Sequence, residues 1–409
     1  MTDQSDPHLL SSSPPPTPTP TIELRDLTAV SVLGRGAKGV VFYIYGASPD
    51  HGLALKVISR PSIEHKSPVS ISAAGSNSES AYRRIYFERD VLRALHHPLL
   101  PSLRGVVSTE KIVGFALDYC PGSDLNALRR RQTEKMFSDG IIRFYAAELV
   151  LALEHLHGLG IVYRDLKPEN VLIQENGHIM LVDFDLSTKL PFSKSPPEIL
   201  RPEPASAQKK SKSRSLFGCF SGISNVSPET LDSDYSQEQV KSNSFVGTED
   251  YVAPEIIEGK GHDFAVDWWC LGVVLYEMLY GRTPFRGSNR KETFYRILTK
   301  SPELFGERTA LRDLIGRLLE KDPVKRINGE EIRRHEFFFG VEWKSVAEIG
   351  RPPFIPAGDE RKECGEGLDI EKIVEEIWWS SREGNGKAVE ENYVAEARNA
   401  SRNGDFDGF

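Results

Sequence analysis

Gly34-Arg35-Gly36-Ala37-Lys38-Gly39-Val40 sets three glycines between two apolar, β-branched runs. Without a Cβ, such backbone lets N–H groups come up against phosphate oxygens. A strand follows these glycines where a dinucleotide fold needs a helix N-terminus, so the Rossmann form of such a loop is disfavoured. Alone, the segment is equally a glycine-rich turn with no ligand. Its place in the chain adds weight. Lys56, in Ala54-Leu55-Lys56-Val57, and Glu88, in the helix that follows, provide a cation and a carboxylate of the kind that holds α- and β-phosphates. Downstream come Tyr163-Arg164-Asp165-Leu166-Lys167-Pro168-Glu169-Asn170, then Asp183-Phe184-Asp185, then Ala253-Pro254-Glu255. Asp165, Lys167, Asn170 and Asp183 thus bring carboxylates, an amide oxygen and a second cation into two short, separate stretches.

The surrounding pattern predicts how these groups are carried. From Leu24 the chain is β-rich: Val30, Val32 and Leu33, then the glycines, then Val40 to Tyr45, resuming at Leu53 to Ile58. Ile85, Val91, Leu92 and Leu95 fall at helical spacing within Tyr82 to Leu95. After Asp124 the pattern turns helical, with long segments over Ile141 to His157 and Phe264 to Leu279. Residues 1–26 read as a disordered Ser/Thr/Pro leader. Residues 191–243, rich in Ser, Pro and Lys and far longer than an ordinary connection, read as a flexible insert.

Composition excludes several classes. Hydrophobic residues at 39% and aromatics at 9% leave no room for a fibrous or wholly disordered chain. With 51 Lys and Arg against 59 Asp and Glu, a surface built for nucleic acid is not expected. From residue 359 onward there are 14 acids and 7 bases, so a net of −7 sits in the tail and the body is near neutral. Cys120, Cys219, Cys270 and Cys364 form no CxxC pair, which argues for a reducing compartment without a disulfide framework or zinc site. The N-terminal stretch lacks an apolar core of signal-peptide length and no run of about 18 apolar residues occurs, so neither secretion nor membrane spanning is expected.

The five motifs, in this order and spacing, resemble the eukaryotic protein kinases over residues 27–338. The resemblance implies an α+β, bilobal fold with a β-rich small lobe over 27–118 and a helical large lobe over 119–338, using ATP and Mg²⁺. Lys56 and Glu88 would hold the α- and β-phosphates, and Asp183 and Asn170 would ligate the metal through hard oxygens. Asp165 would accept the substrate hydroxyl proton, while Lys167, a serine/threonine-kinase feature, would neutralise the transferring group. The nucleotide would contact Leu33, Gly34, Gly36, Gly39, Val41, Ala54, Leu117, Tyr119 and Asp124. Glu255 would pair with Arg326, and Asp267 would brace the catalytic loop.

A narrower resemblance is to the plant branch of the AGC kinases. It rests on Tyr163 in the usual histidine position, on Ser244 to Glu255, and on Arg351-Pro352-Pro353-Phe354-Ile355-Pro356 within a tail over 339–409. Asp185 in place of the Asp-Phe-Gly glycine and the long insert mark that branch, and Phe137-Ser138-Asp139 with Phe264 to Trp269 is most similar to its UNICORN-like and oxidative-signal-inducible kinases. By resemblance, Ser244 is an activating phosphosite, and Asp124, Glu169 and Glu277 favour protein substrates with basic residues before the acceptor. Phe406 and Phe409 form a Phe-x-x-Phe motif that docks on a small-lobe pocket, in cis or on an upstream phosphoinositide-dependent kinase. Lys209-Lys210-Ser211-Lys212-Ser213-Arg214 is a solvated loop, an anionic-lipid site or a nuclear-import signal. The expected protein is a monomer located in the cytoplasm, with nuclear or peripheral plasma-membrane placement open. The rival reading is a pseudokinase scaffold that binds partners through the insert and tail, its turnover blocked by Asp185.

Overall fold

The computed structural model describes residues 19–35, 39–46, 52–64, 76–190, 248–356 and 367–382. Gly36, the insert with its basic run, Ser244, and Phe406 and Phe409 lie outside the described residues.

Strands β1 (Thr28–Arg35), β2 (Gly39–Tyr45) and β3 (Leu53–Ser59) form a continuous antiparallel meander, with strict alternation of burial along the central β2. Gly39 opens β2 where a Cβ would run into the Val57 carbonyl oxygen, so the close approach of β2 to β3 depends on glycine there. Helices α1 (Arg60–Glu64) and α2 (Ser76–Ala94) follow, then β4 (Leu103–Ser108) and β5 (Ile112–Asp118) complete a sheet ordered β1-β2-β3-β5-β4. This is the β-rich small lobe with its single long helix.

The large lobe begins with α3 (Leu125–Arg130) and the long, largely buried α4 (Asp139–Gly158). Four short strands come next: β6 (Ile161–Val162), β7 (Val171–Ile173), β8 (Ile179–Leu181) and β9 (Thr188–Lys189), paired as β6-β9 and β7-β8. Then come α5 (Pro254–Glu258), α6 (Ala265–Tyr280), α7 (Arg290–Thr299), α8 (Ala310–Leu318) and α9 (Gly329–Arg333). α6 is apolar nearly all round because it runs through the lobe's centre, with Trp269, Leu271 and Val273 fully buried. Among the described residues no helix is long and apolar enough to cross a membrane.

The tail is built into both lobes. Its first part passes over the β7–β8 turn at Gly177, where φ is +87° and a Cβ would strike the Phe354 carbonyl oxygen. The tail then returns to the small lobe, where Leu368 N–H donates to the Ala29 carbonyl at 2.8 Å. A final helix, α10 (Ile370–Arg382), lays Ile370, Ile373, Val374 and Ile377 on the outer sheet face against Phe42, Ile44, Leu55 and Val57. These four sit at i, i+3, i+4 and i+7, one helical stripe. At the edge, Thr109 Oγ1 donates to Glu371 Oε1 at 2.6 Å. The small-lobe sheet therefore has two covered faces, one turned to the lobe cleft and one to α10.

Candidate active site

Strand alternation turns Val41, Ala54 and Lys56 to the cleft while their neighbours Val40, Leu55 and Val57 go to the α10 side. Lys56 Nζ donates to Glu88 Oε1 at 2.6 Å and to Asp183 Oδ1 at 2.8 Å. Burial works against the Lys56 charge, yet the two carboxylates more than compensate and raise its pKa. Glu88 is pushed up by burial, tempered by Lys56, and Asp183 is held below its ordinary value because Lys56 outweighs the cost of its burial. The three form one charge cluster across the cleft, carried by β3, α2 and the segment after β8.

On the opposite wall, the loop between β6 and β7 carries Asp165, Lys167 and Asn170. Lys167 Nζ donates to Asp165 Oδ2 at 2.7 Å, and Asn170 Nδ2 donates to the same oxygen and to the Asp165 carbonyl, each at 2.9 Å. Those bonds leave the Asn170 amide oxygen as its group for a cation. Thr248, which the sequence reading gave no role, donates from Oγ1 to Asp165 Oδ1 at 3.2 Å and accepts from Lys167 Nζ at 3.2 Å.

The loop is braced from below. Asp267, fully buried at the start of α6, accepts from the N–H groups of Tyr163 and Arg164 at 2.9 and 2.7 Å and bonds His157 Nε2 at 2.8 Å. Arg164 itself takes φ +68°, and Asp183 φ +63°. These positive-φ residues at two functional turns must be held by their surroundings. The Tyr163 hydroxyl donates to the Val182 carbonyl, tying the catalytic loop to the segment that carries Asp183. Arg326 Nη1 and Nη2 meet Glu255 Oε1 and Oε2 at 2.7 and 3.0 Å, a two-pronged pair in the buried interior.

Between the lobes lies a cavity of about 420 Å³. Every described residue expected to contact the nucleotide lines it: Leu33, Gly34, Gly39, Val41, Ala54, Lys56, Glu88, Leu117, Tyr119 and Asp124, together with Asn170 and Asp183. Leu172, Val182 and Cys120 also line it and were missed, since they belong to no motif. Burial, aided by Asp118, pushes the Cys120 thiol up to about 12, which makes it an unreactive wall group. A larger cavity of about 910 Å³ under α8, lined by Arg312, Asp313 and His335, contains none of the residues above. Asp124 also caps α3, its Oδ1 accepting from Ala127 N–H at 2.8 Å.

The carboxylates expected to meet a basic substrate have partners of their own. Glu169 Oε1 accepts from Asn126 Nδ2 at 2.8 Å. Glu277 accepts from Arg129 Nη2 at 3.0 Å and from the Tyr251 hydroxyl, so Arg129 has the place at Glu277 that a substrate arginine would seek.

Asp183 and Asn170, two hard oxygen donors lining a cavity of nucleotide size with Lys56 beside them, fit the site that Mg²⁺ takes when most of its ligands are phosphate and water.

Comparison with known proteins agrees with this geometry. The protein kinase domain model matches residues 27–205 and 231–338. Serine/threonine-protein kinase OXI1 of Arabidopsis thaliana is 56% identical over 375 residues, covering 88% of this chain and 87% of the relative. Serine/threonine-protein kinases UCNL and UCN of the same plant are 43% and 41% identical, with 90% and 91% of this chain and 92% and 93% of theirs covered. A bilobal fold, a cation bridged by two carboxylates across the cleft and a match over both lobes lead to one conclusion: the chain belongs to the protein kinase family.

Proposed function

We propose that this chain is a plant AGC-type serine/threonine-protein kinase that moves the γ-phosphoryl group of Mg·ATP to Ser or Thr hydroxyls of proteins with basic residues ahead of the acceptor. The observation that carries this reading is Lys56 Nζ held 2.6 Å from Glu88 and 2.8 Å from Asp183 at the wall of the interlobe cavity. Such a cation is fixed in advance and needs no reorganisation when phosphate charge arrives. Asp183 and Asn170 would hold Mg²⁺, which when bound neutralises phosphate oxygens. Asp165, oriented by Asn170 and Lys167, receives the proton of the attacking hydroxyl. Lys167 stands 2.7 Å from it to balance charge at the same point. The scaffold alternative finds no support, because Lys56, Glu88, Asp165, Asn170 and Asp183 are all present and assembled. The test is transfer of labelled phosphate from ATP to arginine-containing Ser, Thr and Tyr peptides, with Asp165→Asn as control. Transfer to Ser or Thr that Asp165→Asn abolishes is expected, and equal transfer by the control overturns the assignment.

Regulation and placement belong to the same reading. Ser244 is the activating phosphosite, tested by mass spectrometry and by the activity of Ser244→Ala in cells. Phe406 and Phe409 dock on an upstream phosphoinositide-dependent kinase, and undiminished binding of the Phe406→Ala, Phe409→Ala variant would refute this. The protein is a cytoplasmic monomer, which light scattering and imaging check. The basic run from Lys209 to Arg214 adds contact with anionic lipid, and unchanged vesicle binding after its replacement by alanine returns it to a solvated loop.

A further inference from the structure

Arg84 lies on α2 four residues before Glu88, so both side chains leave the same helix face. Glu88 reaches the Asp183 segment through Lys56. Arg84 reaches it directly: Nη2 donates to the Asp185 carbonyl and Nη1 to the Ser187 carbonyl at 3.2 Å. The segment is compact and held from both sides. Ser187 Oγ donates to the Phe184 carbonyl at 2.6 Å, Phe184 is fully buried, and Arg164 Nε donates to the Leu186 carbonyl at 2.7 Å. Two guanidiniums, one from each lobe, thus grip successive carbonyls of the four residues after Asp183. Their mutual repulsion contributes, after burial, to bringing the Arg164 pKa down to about 10, so the pair is close enough to interact.

We propose that Arg84 is a positioning residue for the metal ligand Asp183: it fixes the backbone immediately after Asp183 to the helix that bears Glu88, so that Lys56, Glu88 and Asp183 keep one register. The proposal rests on the kinase reading above. Asp183 has a positive φ and a side chain 39% exposed, and its tie to α2 runs only through the Lys56 ammonium that Glu88 shares. A second tie one helical turn from Glu88 converts a single-point link between α2 and this segment into a two-point one. That removes the freedom to pivot about Lys56.

The experiment uses the full chain with Arg84→Ala, Arg84→Gln and Arg84→Lys, and three readouts. Calorimetry gives ADP affinity with and without Mg²⁺, a steady-state assay gives kcat and peptide KM, and scanning calorimetry gives Tm. In Arg84→Ala and Arg84→Gln, the gain in ADP affinity that Mg²⁺ provides should fall about 10-fold while Mg²⁺-free ADP affinity holds. Turnover should fall about 10–100-fold with peptide KM within about twofold, as for other residues that orient a metal ligand. Arg84→Lys, which can still donate to one carbonyl, should recover part of both. An unchanged Mg²⁺ gain in folded Arg84→Gln overturns the proposal, even if turnover drops in step with Tm, because that is the behaviour of a residue that only props the small lobe. Absence of transfer by the wild type would defeat the kinase reading, whereas the ADP arm would still judge Arg84.

Discussion

Lys56 and Asp183 are 127 positions apart in the chain and meet at 2.8 Å across the cleft. Because Glu88 holds the same ammonium from the other side, with side chains 15% and 4% exposed for Lys56 and Glu88, the two contacts differ in consequence. The Glu88 contact is an interior pair, whereas the Asp183 contact is 39% open on its acid side and couples the lobes.

Lys56→Met and Asp183→Ala should both lower phosphoryl transfer by about 10²-fold or more, since each removes one fixed charge from the transition-state surroundings. Their stabilities should diverge. Lys56→Met leaves Glu88 buried without its cation and should cost about 3–5 kcal/mol. Asp183→Ala leaves that pair whole and should cost clearly less. Urea unfolding beside a transfer assay separates the two, and equal destabilisation would contradict the division of roles.

Glu255→Ala should destabilise the large lobe by about 3–5 kcal/mol, because Arg326 is left as a fully buried cation. Arg326 also donates to the Ala265 and Glu320 carbonyls, so it is held in place and cannot turn to water. In a double-mutant cycle, adding Arg326→Met to Glu255→Ala should restore part of the loss. A cycle with no coupling would show the pair to be incidental.

His178 provides a pH prediction. Its Nδ1 bonds Glu148 and its Nε2 lies 3.1 Å from the Ile349 carbonyl, so both ring nitrogens face acceptors and the imidazolium satisfies both. The Glu148 bond raises the His178 pKa above 6.5, against burial. A group raised on folding adds stability in full below its ordinary value and loses it as pH rises through the folded one. His178→Gln should therefore lower stability by about 2 kcal/mol near pH 6, or roughly 4–8 °C in Tm, with the gap narrowing toward pH 9. A gap that does not vary with pH would mean that a neutral ring makes these bonds.

Replacing Ile373 and Ile377 by Ala should cost about 2–5 kcal/mol at each position, both being nearly fully buried against the sheet. Because β2 and β3 present Phe42 and Leu55 to α10 and Val41 and Ala54 to the cavity, the same variant should weaken ADP binding without altering any group that touches the nucleotide. Calorimetric ADP titration checks this, and unchanged affinity would show that the two sheet faces are independent.

The legible parts of this molecule were those written in contiguous residues. Asp165, Lys167 and Asn170 lie within six positions, and their mutual bonds are made inside one loop. The β1–β3 meander and α2 followed from period and order. Thr248 was invisible as a partner because its bond to Asp165 spans 83 positions, and Arg84 because an exposed-looking helix arginine carries no mark of the carbonyls it will meet. The Glu148–His178–Ile349 chain joins three elements in the same way. α10 is different: Ile370, Ile373, Val374 and Ile377 stand at helical spacing, yet the acidic composition of the tail hid them, and the strands that receive them come some 310 residues earlier.

That separation bears on how the protein is made. At synthesis rates of about 5–20 residues per second, the outer face of β1–β3 leaves the ribosome roughly 15 to 60 s before the helix that covers it. During that interval Phe42, Ile44, Leu55 and Val57 form an apolar strip on a nascent sheet that lacks the four α10 side chains packed on it in the finished fold, a surface of the kind chaperones bind. The sheet of the small lobe is thus made long before the helix that completes its outer face.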